Sequence, residues 1–229
     1  MSFLDILLQT PVFQGVSRVS LTNSLEKYSL EFSKFQSGEQ IVSKGELFTH
    51  VKFIISGQLV SYTDNNSGVL RIKEVFSAPN IIAGNYVFGL ETKSIYDIFA
   101  HSDVGIMQIK KEDFLDLLRK DPIFNLNFLN FLSVRSQSYF HTMLSVSSGD
   151  LKERLAMWVL LLTRKRAEEI QLQITLTDLA ALLGDTVENL KQALGELKKM
   201  RVLTYSDSGL MISDRHGLVD FLHDIDDAE

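Results

Sequence analysis

The sequence contains no cysteine, and that absence removes disulfides, thiolate zinc sites and cysteine-held iron–sulfur clusters together. Prolines number only three, so little of the chain is barred from regular structure. An excess of positive charge is also missing: 23 lysines and arginines face 29 aspartates and glutamates, a net charge of −6. A nucleic-acid interface on such a chain must rest on local geometry, because bulk attraction is unfavourable. No apolar run is long enough to span a bilayer and the N-terminus carries no signal-peptide pattern, which leads us to expect a cytoplasmic protein with no membrane partner. No nucleophile–base pair, nucleotide-binding glycine loop or metal-binding cluster can be read, so an enzyme is not expected.

What is present is 45% apolar residues spread over 229 positions, enough for one large or two ordinary cores. Residues 3–30 have apolar positions at helical spacing, broken by Pro11 into two short helices. From Glu31 to Ile109 the chain reads as strands of about five residues separated by glycine turns, the pattern of an antiparallel barrel or sandwich. Lys110 to Val146 is helical again. Phe124, Phe128, Phe131, Leu132, Arg135, Tyr139, Met143 and Val146 form a stripe recurring every three or four residues. Ile123, Leu126 and Leu129 widen that arc enough to cover both the barrel and a partner helix, so we expect a homodimer interface here. Ser147 to Asp150 is small and polar, a hinge that places the domain boundary at 147/148.

The most informative stretch is Ile174 to Arg201. Thr175 precedes an apolar stripe of Leu176, Leu179, Ala180 and Leu183; Gly184 ends that helix and Thr186 starts another. Leu190, Ala193, Leu194 and Leu197 are the buried stripe of the second helix, which leaves Val187, Glu188, Asn189, Lys191 and Gln192 near its start, mostly outside the stripe. Helix, glycine turn and a second helix with polar residues at its outer start form a helix-turn-helix pattern. The short runs Val202–Tyr205 and Leu210–Ile212 around Asp207-Ser208-Gly209 add a hairpin, and alternating Ile170, Leu172 and Ile174 offer it a third strand. The expected fold is therefore α+β: an N-terminal antiparallel barrel of jelly-roll type over 1–147, a long dimerisation helix at its end, and a winged helix-turn-helix over 148–229. The acidic end, Asp220, Asp224, Asp226, Asp227 and Glu229, reads as a solvated tail.

The run FQSGEQIVSKGELFTHVKFIISGQLVSY, with turn glycines Gly38, Gly45 and Gly57, resembles the first half of a cyclic-nucleotide-binding barrel. Barrel, long helix and winged helix-turn-helix in this order resemble the Crp/Fnr family of bacterial transcription regulators. The resemblance implies double-stranded DNA with a two-fold-related site as a partner, self-association, and RNA polymerase as a further partner. It places backbone contacts at Thr175, Thr177, Thr186 and the wing around Ser208, and base contacts at Val187, Glu188, Asn189, Lys191 and Gln192. Members that read a guanine-rich half-site carry Arg-Glu-x-x-x-Arg across the start of the second helix; Val187, Glu188 and Gln192 stand there, so only the glutamate is kept. Another reading is a ligand-binding or protein-interaction barrel whose winged domain docks on protein rather than DNA.

The nucleotide cassette departs from the family pattern. Gly84 is kept, Asn85 stands where the glutamate that binds the ribose would be, and no arginine occurs between Arg71 and Arg119; Ser94 falls near its place. A serine cannot replace the forked donors of arginine on a phosphate, and Lys93 offers only a point charge. Two readings stay open: a scaffold without a small ligand, or a different ligand held by Gly84, Asn85, Tyr86, Ser94 and Tyr96. The histidines, His50, His101, His141, His216 and His223, lack ligand spacing for haem, and no cofactor or metal is expected. Losing a bidentate charge-assisted pair in a desolvated pocket costs about 3 kcal/mol, over a hundredfold in affinity. Calorimetric titration with cyclic AMP or cyclic GMP is thus expected to show no micromolar binding.

Overall fold

The computed structural model describes the backbone of residues 2–65, 67–146, 149–206 and 209–226. It describes their side chains except for Arg135, residues 138–146 and residues 223–226. The chain forms two compact units. Met1–Ser61 and Phe76–Arg135 make the first, and Tyr62–Val75 and Ser136–Glu229 the second.

The first unit opens with α1 (Phe3–Leu7) and α2 (Arg18–Leu25), separated by a 3-10 turn at Pro11–Phe13. Strands follow as β1 (Leu30–Phe35), β2 (Gln40–Val42), β3 (His50–Ser56), β4 (Gln58–Asp64), β5 (Arg71–Ser77), β6 (Asn80–Ile82), β7 (Asp97–Ala100) and β8 (Val104–Lys110). Then come α3 (Lys111–Lys120) and α4 (Pro122–Val146). The strands make two sheets, one ordered β1-β8-β3-β6 and one containing β5-β4-β7-β2. They face each other as a jelly-roll sandwich and do not close into a barrel.

The alternation along β3 and β8 shows why these strands are almost continuously apolar. Ile54 and its register partner Ile106 join the core between the sheets, with Ile82, Ile98 and Phe76. Their neighbours Phe53 and Met107 point the other way, into a core shared with Phe13, Phe114, Phe124 and Phe128 from the helical segments. With both faces covered, Val51, Phe53 and Ile54 of β3 and Ile106, Met107 and Ile109 of β8 are all buried. Phe13 meets Phe124 edge-on at 5.4 Å, and Phe114 meets Phe128 in the same way at 5.4 Å.

The second unit contains α5 (Leu151–Leu162), β9 (Glu169–Gln173), α6 (Leu176–Leu183), α7 (Val187–Lys199), β10 (Leu203–Ser206), β11 (Gly209–Ile212) and α8 (Arg215–Asp226). Asp150 caps α5 in a reciprocal box with Glu153. The wing strands β10 and β11 pair antiparallel, and β11 pairs with β9, as the alternation of Ile170 and Leu172 predicts.

Two features differ from the sequence expectation. The far part of the β4–β5 hairpin belongs to this unit: Arg71–Val75 pair antiparallel with Glu169–Gln173, and Ile72 is buried in the winged core. The buried carboxylate of Glu74 accepts the backbone N–H of Arg164 at 2.6 Å, capping the chain beyond α5. The single cut at 147/148 read from the sequence keeps residues 62–75 with the jelly roll, whereas contacts group them with the second unit. The acidic C-terminal stretch is also helical through Asp226, because Leu218, Phe221 and Leu222 recur at helical spacing and pack on the core. Asp227 and Glu229 lie outside the described residues, as do Ser147 and Ser148 of the expected hinge.

Two glycines of this unit respond oppositely to a methyl group. Gly209 has φ +106, and a Cβ there would lie 2.2 Å from the carbonyl oxygen of Leu172. Gly195 sits inside α7 with open space around it. Gly195→Ala is expected to stabilise the protein by about 0.5–1 kcal/mol. Gly209→Ala should destabilise it by about 1–3 kcal/mol or more. Urea unfolding of the two variants against the parent protein checks both signs.

Candidate nucleic-acid interface

The helix-turn-helix follows from three local devices. The Thr175 hydroxyl accepts the N–H of Asp178 and starts α6. Gly184 ends it in the left-handed conformation, φ 68, where a side chain would be strained. The Thr186 hydroxyl accepts the N–H of Asn189 at 3.2 Å and starts α7. Leu179, Ala180 and Leu183 of α6 and Leu190, Leu194 and Leu197 of α7 fill the core, which fixes the rotation of α7 about its axis. Glu188, Asn189, Lys191 and Gln192 are thereby exposed on its first two turns.

The candidate contact residues do not all stand alike. Thr177 is exposed on the first turn of α6, whereas the hydroxyls of Thr175 and Thr186 are engaged as caps. Val187 is only half-exposed and packs on the winged core. Ser208, with Asp207, lies outside the described residues, between strands β10 and β11. Asn189 does not extend freely: its amide nitrogen donates to Asp185 Oδ1 at 2.7 Å.

Two ion pairs tie α5 to this region, and neither partner was singled out from the sequence. Arg154 Nη2 donates to Asp185 Oδ2 at 2.9 Å, and Lys152 Nζ lies 2.9 Å from Glu196 Oε2. Hydrogen bonds from the Asn189 side chain and the Thr186 N–H hold the Asp185 carboxyl below the usual range, with Arg154 adding to the effect. The hydrogen bond from Lys152, followed by that from Gln192, lowers Glu196, and Glu196 in turn raises Lys152. Two acidic groups beside the exposed helix face are thus compensated locally. The one sequence sign was the placement of Lys152 and Arg154 just after the Asp150 cap, with acids in the turn and on α7.

In the jelly-roll unit the ligand candidates divide into two groups. Gly84 opens a 3-10 turn, Gly84–Tyr86, after Ala83 at φ 46. A Cβ on Gly84 would lie 2.9 Å from Ile81 and 3.0 Å from Phe131, so its smallness serves packing against α4. Tyr86 and Tyr96 meet edge-on at 5.9 Å over the inter-sheet core, with Asn85 half-buried beside them in sequence. Ser94 is buried, and its hydroxyl donates to the carbonyl of Tyr96 at 2.8 Å while accepting the Tyr96 N–H. It closes a local turn.

The α4 stripe needs a correction. Phe124 and Phe128 are 0% and 4% exposed and fill their own unit's core, and Phe131 and Leu132 pack half-buried beside them. These four are therefore not the free face of the helix. At 100° per residue, Ile123, Leu126, Leu129 and Val134 lie on the other side, and they are 49–59% exposed. The side chains of Arg135, Tyr139, Met143 and Val146 lie outside the described residues. Among the described residues no helix is long and apolar enough to cross a membrane, and no group of three or more His, Cys, Asp or Glu could hold a metal ion.

Comparison with known proteins agrees with this layout. Residues 32–121 match the family model of the cyclic nucleotide-binding domain, and residues 153–221 that of the Crp-like helix-turn-helix domain. Electron transport regulator A of Shewanella oneidensis is 25% identical over 189 residues, covering 80% of this chain and 75% of that protein. The fumarate and nitrate reduction regulatory protein of Escherichia coli K12 is 24% identical over 189 residues, with the same coverage of 80% and 75%. In fold the chain is similar to the catabolite activator protein of Thermus thermophilus, with a TM-score of 0.51, 19% identity, and coverage of 94% of this chain and 99% of that one. With a nucleotide-binding-type jelly roll followed by a Crp-like helix-turn-helix, the chain belongs to the Crp/Fnr family of transcription regulators, which bind DNA and are not enzymes.

Proposed function

We propose that the protein is a homodimeric transcription regulator whose two α7 helices read a two-fold-related DNA site, while the jelly roll acts as sensor or scaffold. The observation that carries the reading is the first two turns of α7. Glu188, Lys191 and Gln192 are exposed there while the opposite stripe is buried in the winged core. That is the arrangement in which a second helix enters the major groove N-terminus first. Successive major grooves on one face lie about 34 Å apart, so the activity would be conformational: a change in the jelly roll sets whether both helices can engage together.

Base chemistry follows from the side chains. Glu188 can accept from the amino group of cytosine, Gln192 can pair with adenine, and Lys191 can reach a phosphate or a guanine. With Val187 and Gln192 at the two arginine positions of the guanine-rich readers, the half-site should hold more A·T pairs than theirs. Selection from random duplex DNA tests this: a guanine-rich half-site would defeat the assignment. Gln192→Ala should cost about 1–3 kcal/mol at one base pair, and Lys191→Ala should weaken all sequences alike and reduce the salt slope by about 1. Fluorescence anisotropy over a panel of duplexes and salt concentrations reads both. Retardation of no promoter fragment at low salt would favour a winged unit that docks on protein.

Self-association is supported by α4, which is apolar on two sides. One side fills its own core, and the other leaves Ile123, Leu126, Leu129 and Val134 exposed in a single chain. Burying a lone charge in such a seam costs several kcal/mol. Leu126→Glu, at a position 59% exposed in the single chain, should therefore keep the fold and yield monomers by light scattering. A dimeric Leu126→Glu protein would move the interface elsewhere. Effector, operator and regulated genes are matters for ligand screening and genome-wide mapping of bound DNA. RNA polymerase is the further partner that a regulator of this kind would contact.

A further inference from the structure

The side chain of Asn189 lies on the exposed start of α7, where a base-reading residue is expected, yet it is tied back to the turn. Its amide donates to Asp185 Oδ1 at 2.7 Å, and its backbone N–H donates to the Thr186 hydroxyl. The same Asp185 oxygen accepts the N–H of Thr186 at 2.8 Å. The other carboxylate oxygen is held by Arg154 Nη2 at 2.9 Å, and Arg154 Nη1 donates to the carbonyl of Gly149. Arg154 is about four-fifths covered, and its guanidinium cannot swing away without leaving a carboxylate beside the DNA-facing end of the helix uncompensated. The aspartate is thereby fixed from one side by α5 and holds the asparagine on the other.

An asparagine that reads adenine must offer carbonyl oxygen and N–H together to N6 and N7. Asn189 could do so only by giving up a charge-assisted hydrogen bond, which is about twice as strong as a neutral one. We propose that Asp185, anchored by Arg154, is a specificity-determining positioning residue that withholds Asn189 from the bases, so that the half-site is read by Glu188 and by Gln192, whose own amide contact, to Glu196 Oε1, is long at 3.4 Å. The turn then subtracts one reading position from a helix whose sequence offers it. This inference rests on α7 entering DNA, and it adds which exposed residues there stay silent and why.

The test uses the full-length protein, a random duplex pool and single-base variants of the selected site. Asn189→Ala should select the same half-site as the parent, with discrimination at each base pair changed by less than about fivefold, the lower edge of one base contact. Asp185→Ala frees the amide and should gain discrimination of about fivefold or more at one further base pair. The Asp185→Ala/Asn189→Ala double variant should lose that gain. Asp185→Asn keeps an acceptor oxygen toward Asn189 but loses the charged partner of Arg154, and should gain less discrimination at that base pair than Asp185→Ala. A purely structural role for Asp185 would weaken all duplexes alike, with or without Asn189, and that result overturns the inference. So does a change of about fivefold or more at any base pair in Asn189→Ala alone, which decides the matter even if Asp185→Ala fails to fold by circular dichroism. A parent protein that selects nothing from the pool overturns the DNA reading itself, and this inference with it.

Discussion

The rotation of α7 about its own axis is the constraint on which the interface depends. Leu190, Leu194 and Leu197 are at most 6% exposed and fix that rotation by burial. A turn of one residue about the axis is 100°, enough to bring a leucine to the surface and bury Lys191 or Gln192 without a partner. Gly184 in the left-handed conformation and the Thr186 cap set where the helix begins, so the exposed arc starts at Glu188. Burial thus determines which side chains are offered, and capping determines how far along the helix the offer starts.

Charge is handled at the same scale. The chain carries a net −6, but Asp185 and Glu196, the acidic groups of the turn and of the middle of α7, are paired with Arg154 and Lys152 of α5. The Lys152–Glu196 pair, 30% and 40% exposed, does more to place the helix than to stabilise the fold, because exposed ion pairs contribute little. Lys191, Lys198, Lys199 and Arg201 are exposed along and just beyond α7. A phosphate backbone responds to charges within about a Debye length, close to 10 Å at moderate salt, so the distribution matters more than the total.

The parts legible in the sequence were those governed by near neighbours. Thr175 and Thr186 as caps, Gly184 as the turn residue and the alternation of Ile170 and Leu172 each depend on contacts a few residues away, and the structure carries all of them. The parts missed depend on partners far along the chain. Nothing in Arg71–Val75 announces that it will pair with Glu169–Gln173, since a strand's sequence does not name its neighbour. Periodicity marked Phe124 and Phe128 as one face of α4 but could not say whether that face meets its own sheet or a second chain. Helical spacing of Leu218, Phe221 and Leu222 was present, yet the acids between them drew the stretch toward a solvated reading. Asn189 stands where the helix pattern expects a reader, and the hydrogen bond of its amide to Asp185 is a side-chain choice that spacing cannot reveal.

The cassette of the jelly roll shows the same separation between structural and ligand-facing residues. Its glycine, Gly84, stands where a Cβ would crowd the side chains of Ile81 and Phe131, a matter of packing against α4 that holds with or without a ligand. The positions that would grip a nucleotide have gone the other way: Asn85 stands for the glutamate, and Ser94 uses its hydroxyl to close a turn on Tyr96. Because the turn is packed against α4, any change that moves Gly84–Tyr86 must also move the ring of Phe131.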